Sequence, residues 1–265
     1  MQIGAHVYTV LAMGMDMPRA PLDPSQIAAT LSHYWRVSVV DLTTSTQEDL
    51  AEKINSGDAH SGDVIVANFQ SAGRGRLDRT FSAPASTALL FSLYLTPQKS
   101  RTEWGFLPLL AGISIAETLN KVNAGISIKW PNDLLINEKK VGGIISTVHG
   151  EGVIIGIGIN VSMSAQELPL ESATSLGLAG VSNLDRNLLL SMILNSLESD
   201  FSHWDLGESF LDRYLDLSAT ILSNVRIELP GGREILATAI SIDEQGRLNL
   251  DDGQVVSVGD VIHLR

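Results

Sequence analysis

Apolar and polar positions follow two periods along the chain, and these periods predict which segments form strands and which form helices. Short apolar runs bounded by turn residues predict strands over 36–42, 64–68, 88–95 and 126–130. Apolar residues three or four positions apart predict a helix over 106–122 that packs one face on the sheet. Strands therefore precede and follow a long helix, which is typical of an α+β layered domain.

A hairpin is predicted in the middle of the chain. Two apolar runs, 134–136 and 141–148, are separated by the polar segment 137–140, and Lys140 begins the returning strand. The other predicted elements are a strand over 153–161 and helices over 24–33, 48–56, 183–204 and 208–217. The two later helices are amphipathic, so we expect them to cover the sheet.

The pattern changes near residue 220, after which only short strand-like runs occur. Runs over 225–229, 233–242, 247–250 and 254–264 are separated by Gly-containing turns, which predicts a small barrel of SH3 type. About 45 residues rarely fold alone, so we expect the barrel to dock on the main domain. The predicted organisation is a leader with a short helix over 1–35, a main domain over 36–219 and the barrel over 220–265.

Composition limits the kinds of function. The 265 residues carry a formal net charge of −12, which argues against a nucleic-acid backbone as the main partner. The absence of cysteine excludes disulfides, thiol nucleophiles and thiolate metal sites, and it fits the cytoplasm. No histidines have zinc-ligand spacing, and no apolar run reaches the ~20 residues that cross a bilayer. We therefore expect a cytoplasmic protein with no zinc, haem or flavin, no DNA partner and no membrane anchor.

Clustered cations beside flexible backbone form the first candidate site. The segment 73–79 reads Gly-Arg-Gly-Arg-Leu-Asp-Arg, and the segment 129–133 reads Lys-Trp-Pro-Asn-Asp. Arginine presents a planar fork of donors to oxyanions, and glycine lets the backbone approach a ligand closely. Together these segments predict a pocket for phosphate and carboxylate groups.

Five motifs, taken in order, resemble those of the biotin protein ligase family. They are Ser45-Thr46-Gln47, Phe69-Gln70-Ser71-Ala72 leading into Gly73-Arg74-Gly75-Arg76 with Arg79, Lys129-Trp130-Pro131-Asn132-Asp133, Lys140 before Gly142-Gly143, and Gly156-Ile157-Gly158-Ile159-Asn160. Each motif alone is weak evidence, whereas five in order are strong. The resemblance runs from about Val37 to the end of the chain. It implies a catalytic domain like that of class II aminoacyl-tRNA synthetases and biotin-lipoate ligases, followed by an SH3-like barrel.

The resemblance implies a two-step acyl transfer. The biotin carboxylate attacks the α-phosphate of ATP to give biotinyl-5′-AMP and pyrophosphate, and a carrier-domain lysine then attacks the mixed anhydride. ATP and Mg²⁺ are the implied co-substrates, and no covalent enzyme intermediate is needed. The implied partner is the biotin carboxyl carrier domain of a biotin-dependent carboxylase, such as an acyl-CoA or pyruvate carboxylase.

The same resemblance assigns roles to individual residues. Arg76 and Lys140 resemble the catalytic cations that bracket the reacting carboxylate and α-phosphate. The residues that resemble the biotin site are Ser45, Thr46, Gln47, Gln70, Arg74, Gly75, Arg76 and Lys140. The residues that resemble the ATP site are Arg79, Lys129, Asn132, Asp133 and Asn160. Asp133 is the candidate Mg²⁺ ligand, because Mg²⁺ prefers hard oxygen donors.

Two positions depart from the family pattern. Gln47 stands where asparagine is usual, and Phe81 stands where tryptophan is common, so we expect a reshaped pocket rim. Some members also carry a DNA-binding helix-turn-helix at the N-terminus and act as repressors. Residues 1–44 leave too little chain for such a domain before the first motif, so we expect a monofunctional ligase.

Other interpretations remain beside this one. A lipoate ligase shares the main-domain architecture and the adenylation step, but the polar biotin set favours a ureido ring over a dithiolane. A non-catalytic nucleic-acid adaptor would use the Arg-Gly segment and the barrel, and the acidic composition argues against it. For Asp133 the alternative is a residue that ends a turn. For Gly156 and Gly158 the alternative is close strand packing.

Overall fold

A seven-stranded mixed sheet forms the framework of the main domain. The computed structural model describes residues 19–76, 79–182 and 184–264, so residues 1–18 of the predicted leader-and-helix segment 1–35 lie outside the described residues. The strands are β1 (Arg36–Thr43), β2 (Asp63–Gln70), β3 (Ala88–Leu95), β4 (Ile126–Lys129), β5 (Asp133–Ile136), β6 (Lys139–His149) and β7 (Gly152–Asn160). Their spatial order is β1-β2-β3-β7-β6-β5-β4, with β1 and β2 parallel and all other neighbours antiparallel.

Position in the sheet explains the apolar pattern of each strand. Strands β3 and β7 pair at the centre and are buried at every position, which accounts for their nearly continuous apolar runs. Strand β1 lies at an edge and has no buried residue. The predicted hairpin is confirmed as β5 and β6, with Asn137 and Glu138 in the left-handed region at the turn.

In the described part of the chain, five helices pack around this sheet. They are α1 (Pro24–Thr30), α2 (Thr46–Asn55), α3 (Leu107–Asn120), α4 (Arg186–Asp205) and α5 (Leu211–Leu217), and a 3₁₀ turn (Arg101–Phe106) leads into α3. Asp23 caps α1 by accepting a hydrogen bond from the backbone of Ser25 at 2.8 Å, and Pro24 occupies the first helical position. The predicted helices are therefore present, with ends that differ by a few residues.

Helix α3 is buried more completely than its sequence pattern predicts. Eleven of its 14 residues are buried. One face packs on the sheet as expected, where a Cβ on Gly112 would lie 3.4 Å from Cδ1 of Ile128. The opposite side meets α4, where Ser114 donates a hydrogen bond of 2.6 Å to Asp200. This second contact explains why the apolar surface of α3 is wider than one stripe.

The C-terminal residues form a five-stranded antiparallel domain. Its strands are β8 (Asn224–Glu228), β9 (Glu234–Ile242), β10 (Leu248–Leu250), β11 (Val255–Val256) and β12 (Asp260–His263), in the order β11-β10-β9-β8-β12. The prediction of one strand over 254–264 was wrong, because this segment forms two strands. Strand β11 pairs with β10, and the chain then crosses to the opposite edge, where β12 pairs with β8. Gly259 lies at this crossing, where a Cβ would be 2.7 Å from Cγ2 of Ile227.

The barrel docks on the main domain, as predicted. The indole Nε1 of Trp130 donates a hydrogen bond of 2.9 Å to the carbonyl of Gly246, and its backbone N donates one of 3.0 Å to Oγ1 of Thr220. The backbones meet so closely that a Cβ on Gly105 would be 2.5 Å from the carbonyl oxygen of Gln245. Within the described ranges, no helix is long and apolar enough to cross a membrane.

We predict that Trp130→Phe loosens the barrel, because it removes the donor to the half-buried carbonyl of Gly246, at a cost of about 0.5–1.5 kcal/mol. Hydrogen–deuterium exchange in β8–β12 should be faster than in the wild type. Trp35→Phe is the control, since Trp35 Nε1 makes a matching 2.9 Å bond to the carbonyl of Leu194 inside the main domain. Equal exchange of the barrel in both variants would contradict the docking role.

Candidate functional site

A cavity of about 860 Å³ lies between the sheet, the N-terminus of α2 and the barrel. Every residue that the sequence assigned to the site lines it. These residues are Ser45, Thr46, Gln47, Gln70, Arg74, Gly75, Arg76, Arg79, Lys129, Asn132, Asp133, Lys140 and Asn160. The chain thus brings motifs from both ends of the main domain to one place, and their individual roles remain predictions.

A buried polar network forms one wall of the cavity. Oε1 of Gln70 accepts hydrogen bonds from the backbone N of Thr46 at 2.8 Å and from its Oγ1 at 3.0 Å. Oγ1 of Thr46 also lies 2.7 Å from Oγ of Ser92 on β3. Ser45 occupies the N-cap position of α2, is buried and makes no side-chain cap bond. These contacts fix the Gln70 amide, so this wall is rigid and polar.

The two residues that depart from the family pattern each face a glycine of β7. A Cβ on Gly156 would lie 2.9 Å from Cδ of Gln47, and a Cβ on Gly158 would lie 2.8 Å from Cε2 of Phe81. The glycines therefore make room for side chains that enter the cavity. The strand-packing alternative is incomplete, because the space beside both glycines is filled by lining residues of the cavity.

Gln47 carries a buried donor that lacks a partner among the described residues. Its Nε2 atom is inaccessible to solvent and makes no hydrogen bond. A buried polar group without a partner costs about 1–3 kcal/mol, so a rotation of this side chain that brings the amide to a ligand acceptor regains that energy. Gln47 lines the cavity from the N-terminal turn of α2, and its amide packs against Gly156. A neutral acceptor such as a carbonyl oxygen fits this position.

Lys140 and Asp133 form an ion pair on the β5–β6 hairpin. Nζ of Lys140 lies 2.5 Å from Oδ1 of Asp133, and a Cβ on Gly143 would be 3.3 Å from that Nζ. Gly143 therefore leaves space for the ammonium group against the strand. Asp133 pairs with Lys129 across the β4–β5 ladder, so one carboxylate and two lysines come from adjacent strands.

Arg76 is the most enclosed arginine of the Arg-Gly segment. Its NH1 atom donates to Oδ1 of Asn132 at 3.1 Å and to the carbonyl of Gly259 at 3.2 Å. Burial lowers the pKa of Arg76 below its ordinary value, and the nearby charges of Asp260 and Asp133 act against that shift. An arginine keeps its proton at neutral pH in such surroundings, so Arg76 is a fixed cation held half-buried at the cavity.

The other arginines are paired with carboxylates of the chain. Arg74 forms an ion pair with Glu48 on α2, and Arg79 forms one with Asp260 on β12. Sequence reasoning did not find Glu48 or Asp260. No local pattern marks Asp260, because its contact with Arg79 joins residues far apart in the sequence and depends on how the barrel docks.

Lys129 and the barrel residue His263 lie near each other in the cavity lining, and Asn160 lines the cavity at the end of β7. Nδ2 of Asn160 donates a hydrogen bond of 2.9 Å to the carbonyl of Thr174, so part of this amide is used to hold a loop. Burial, with the charge of Lys129 as the next cause, lowers the pKa of His263 below its ordinary value. Lys129 supplies the cation on this side, and a lowered pKa keeps His263 uncharged over more of the neutral range.

The described side chains do not form a metal site by themselves. In the part of the chain that the structure describes, no group of three or more His, Cys, Asp or Glu side chains is arranged to hold one. The carboxylate of Asp133, the predicted Mg²⁺ ligand, forms an ion pair with Lys140. One carboxylate fits an Mg²⁺ that arrives with phosphate ligands and keeps its waters, and it does not fit a metal held by protein groups only.

We predict that Gly158→Ala destabilises the fold by about 1–3 kcal/mol, because the new methyl group overlaps the Phe81 ring. Urea unfolding measures the change, and replacing Phe81 by leucine in the same chain should recover part of it. Gly112→Ala is the control, since its Cβ has ordinary contact distance and alanine favours the helix by roughly 0.5–1 kcal/mol. An equal decrease in the free energy of unfolding in both variants would contradict a clash between the new methyl group and Phe81.

Two family models match the chain in the order of its domains. The model for the biotin/lipoate A/B protein ligase family matches residues 39–164. The model for the biotin protein ligase C terminal domain matches residues 223–264. The first range holds every predicted site residue, and the second covers the barrel strands.

Individual proteins agree with these family matches. A biotin--[acetyl-CoA-carboxylase] ligase from Mycobacterium tuberculosis is 37% identical, over 94% of this chain and 98% of its own. The bifunctional ligase/repressor BirA of Escherichia coli is 32% identical, over 99% of this chain and 84% of its own. A solved biotin protein ligase from Aquifex aeolicus, in complex with biotin and ATP, superposes with a TM-score of 0.74 at 27% identity, covering 87% of this chain and 99% of its own. From the motifs, the fold and these relatives together, the chain belongs to the biotin protein ligase family.

Proposed function

We propose that the protein activates biotin with ATP and transfers it to a lysine of a carboxylase carrier domain. The observation that carries this proposal is that Gln47, whose buried amide lacks a partner among the described residues, lines the same cavity as Arg76 and Lys140. A polar neutral head group and an anionic tail are needed to satisfy both ends. Biotin has this combination, with a ureido carbonyl at one end and a carboxylate at the other.

In the first step, the cations reduce the repulsion between two anions. A carboxylate oxygen of biotin attacks the α-phosphorus of ATP, the bond to the β-phosphate oxygen breaks, and pyrophosphate leaves. Arg76 contacts Asn132, Lys140 contacts the next residue, Asp133, and these two cations are our choices for the groups that contact the reacting oxygens. Arg79 and Lys129 are our choices for the triphosphate, with Asn132 and Asn160 on the same side.

In the second step, the carrier lysine attacks the carbonyl carbon of biotinyl-5′-AMP. The new C–N bond replaces the C–O bond to AMP, which leaves with both electrons, and the amine loses a proton. No nucleophile of this chain is consumed. Mg²⁺ is proposed to enter as MgATP, as a co-substrate with Asp133 as its nearest protein carboxylate.

The acceptor is proposed from the names of the relatives. Those from Mycobacterium tuberculosis and Paracoccus denitrificans are called ligases of acetyl-CoA-carboxylase. The carrier domain of that enzyme is therefore the first acceptor to test, and a pyruvate carboxylase carrier remains the second. A lipoate ligase is less well supported, because a dithiolane ring offers Gln47 no strong acceptor.

We predict Mg²⁺-dependent ATP–pyrophosphate exchange with biotin, and none with lipoate or without an acid. Lys140→Gln should lower the exchange rate by roughly 10²–10³-fold, because it removes one donor to the developing charge. Lys139→Gln is the matched control, since Lys139 is the adjacent lysine on β6 and is exposed. Exchange with lipoate alone would replace biotin by lipoate as the proposed substrate. Exchange with neither acid would overturn the proposed adenylation step.

We also predict that Arg76→Gly keeps the fold but releases biotinyl-5′-AMP faster, because two hydrogen bonds from Arg76 hold its segment to Asn132 and Gly259. Rapid filtration after a single turnover measures the fraction of intermediate that stays bound. Arg101→Gly should retain it as the wild type does, since Arg101 is an exposed arginine next to Glu151. Unchanged retention in Arg76→Gly would exclude this role.

A further inference from the structure

A carboxylate of the barrel reaches into the cation cluster of the main domain. Asp260 is the first residue of β12 and lines the cavity. It forms an ion pair with Arg79, and its Oδ1 lies 3.8 Å from NH1 of Arg76. The carbonyl of the preceding residue, Gly259, accepts a hydrogen bond from the same nitrogen at 3.2 Å. One turn of the barrel therefore engages two arginines assigned to the ligand.

The Asp260 carboxylate adds little to the stability of the barrel itself. Asp260 lies directly opposite Glu228 in the β8–β12 ladder. Like charges in directly opposite positions of an antiparallel pair are unfavourable. Glu228 is compensated by Arg226 on its own strand, at 3.2 Å, whereas the partners of Asp260 belong to the other domain. The position of Asp260 is thus explained by the arginines and not by the stability of the sheet.

An anionic ligand and Asp260 need the same guanidinium groups. The side chain of Asp260 is only 20% exposed and that of Arg76 only 21%, so solvent screens this part of the cluster weakly. Arg79 is 67% exposed, so its pair with Asp260 adds little stability. We therefore expect the repulsion between Asp260 and a bound triphosphate to be larger than the stability that the Arg79–Asp260 ion pair gives to the segment 73–79.

We propose that Asp260 is an internal counterion that competes with the triphosphate of ATP for Arg76 and Arg79, and so sets the affinity for ATP. The proposal rests on the function proposed above, because it takes ATP as the ligand of these arginines. Asp260 acts on the arginines and contacts neither reacting atom, so it is a positioning residue. Through it, the barrel contributes directly to nucleotide binding by the main domain.

Equilibrium binding of MgATP to the full chain tests the proposal. By calorimetry at low salt, Asp260→Asn should bind MgATP roughly three- to tenfold more tightly than the wild type, and the gain for biotin should be smaller, because its carboxylate is proposed to contact Arg76 and not Arg79. The gain should shrink in 0.5 M salt, where charges are screened over a few ångströms. Asp260→Glu keeps the carboxylate and should bind like the wild type.

Two further variants separate this effect from general charge and from misfolding. Glu234→Gln removes one negative charge from β9, outside the cavity, and should leave the affinity for MgATP unchanged. Asp260→Ser is a second neutral replacement, and thermal unfolding of each variant identifies any that is not folded. Weaker or unchanged MgATP binding by the folded neutral variants would overturn the proposal. Binding needs no turnover, so a failure of pyrophosphate exchange would be recognised separately.

Discussion

Repulsion among cations that share one cavity is the constraint on which the rest of the site depends. The cations that line it are Arg74, Arg76, Arg79, Lys129 and Lys140. Two like unit charges 5 Å apart repel by roughly 3 kcal/mol at an effective dielectric constant of about 20, so such a cluster requires anions nearby. Among the described residues, the carboxylates that form ion pairs with these cations include Glu48, Asp133 and Asp260. A ligand that brings a carboxylate and phosphates together can replace these internal pairs.

The fold holds this cluster together from three directions. Helix α2 presents its N-terminal turn with Gln47, the β5–β6 hairpin presents the Asp133–Lys140 pair, and the barrel presents Asp260. The central strands form the floor, where Gln47 and Phe81 pack against Gly156 and Gly158. Because each wall comes from a different element, the position of the barrel matters as much for the site as the sheet does.

The sequence was sufficient for the elements and for most of the site, because both depend on local pattern. Continuous apolar runs identified β3 and β7, and the ordered motifs identified the lining of the cavity. Contacts between distant segments were not predictable in this way. The separation of β11 from β12 depends on strand pairing at opposite edges, and the contact of Asp260 with Arg79 depends on docking. The fit of Gln47 against Gly156 also needed three-dimensional coordinates.

We expect the anionic groups of the ligand to replace Asp133 as the partner of Lys140 and Asp260 as the neighbour of Arg76. A crystal structure of the full chain with a non-hydrolysable analogue of biotinyl-5′-AMP tests this expectation most directly. We predict that Arg76 and Lys140 contact the phosphate and the acyl oxygen, while Gln47 donates to the ureido carbonyl. An analogue that binds in the cavity while Lys140 remains on Asp133 and Arg76 remains beside Asp260 would contradict this exchange of partners.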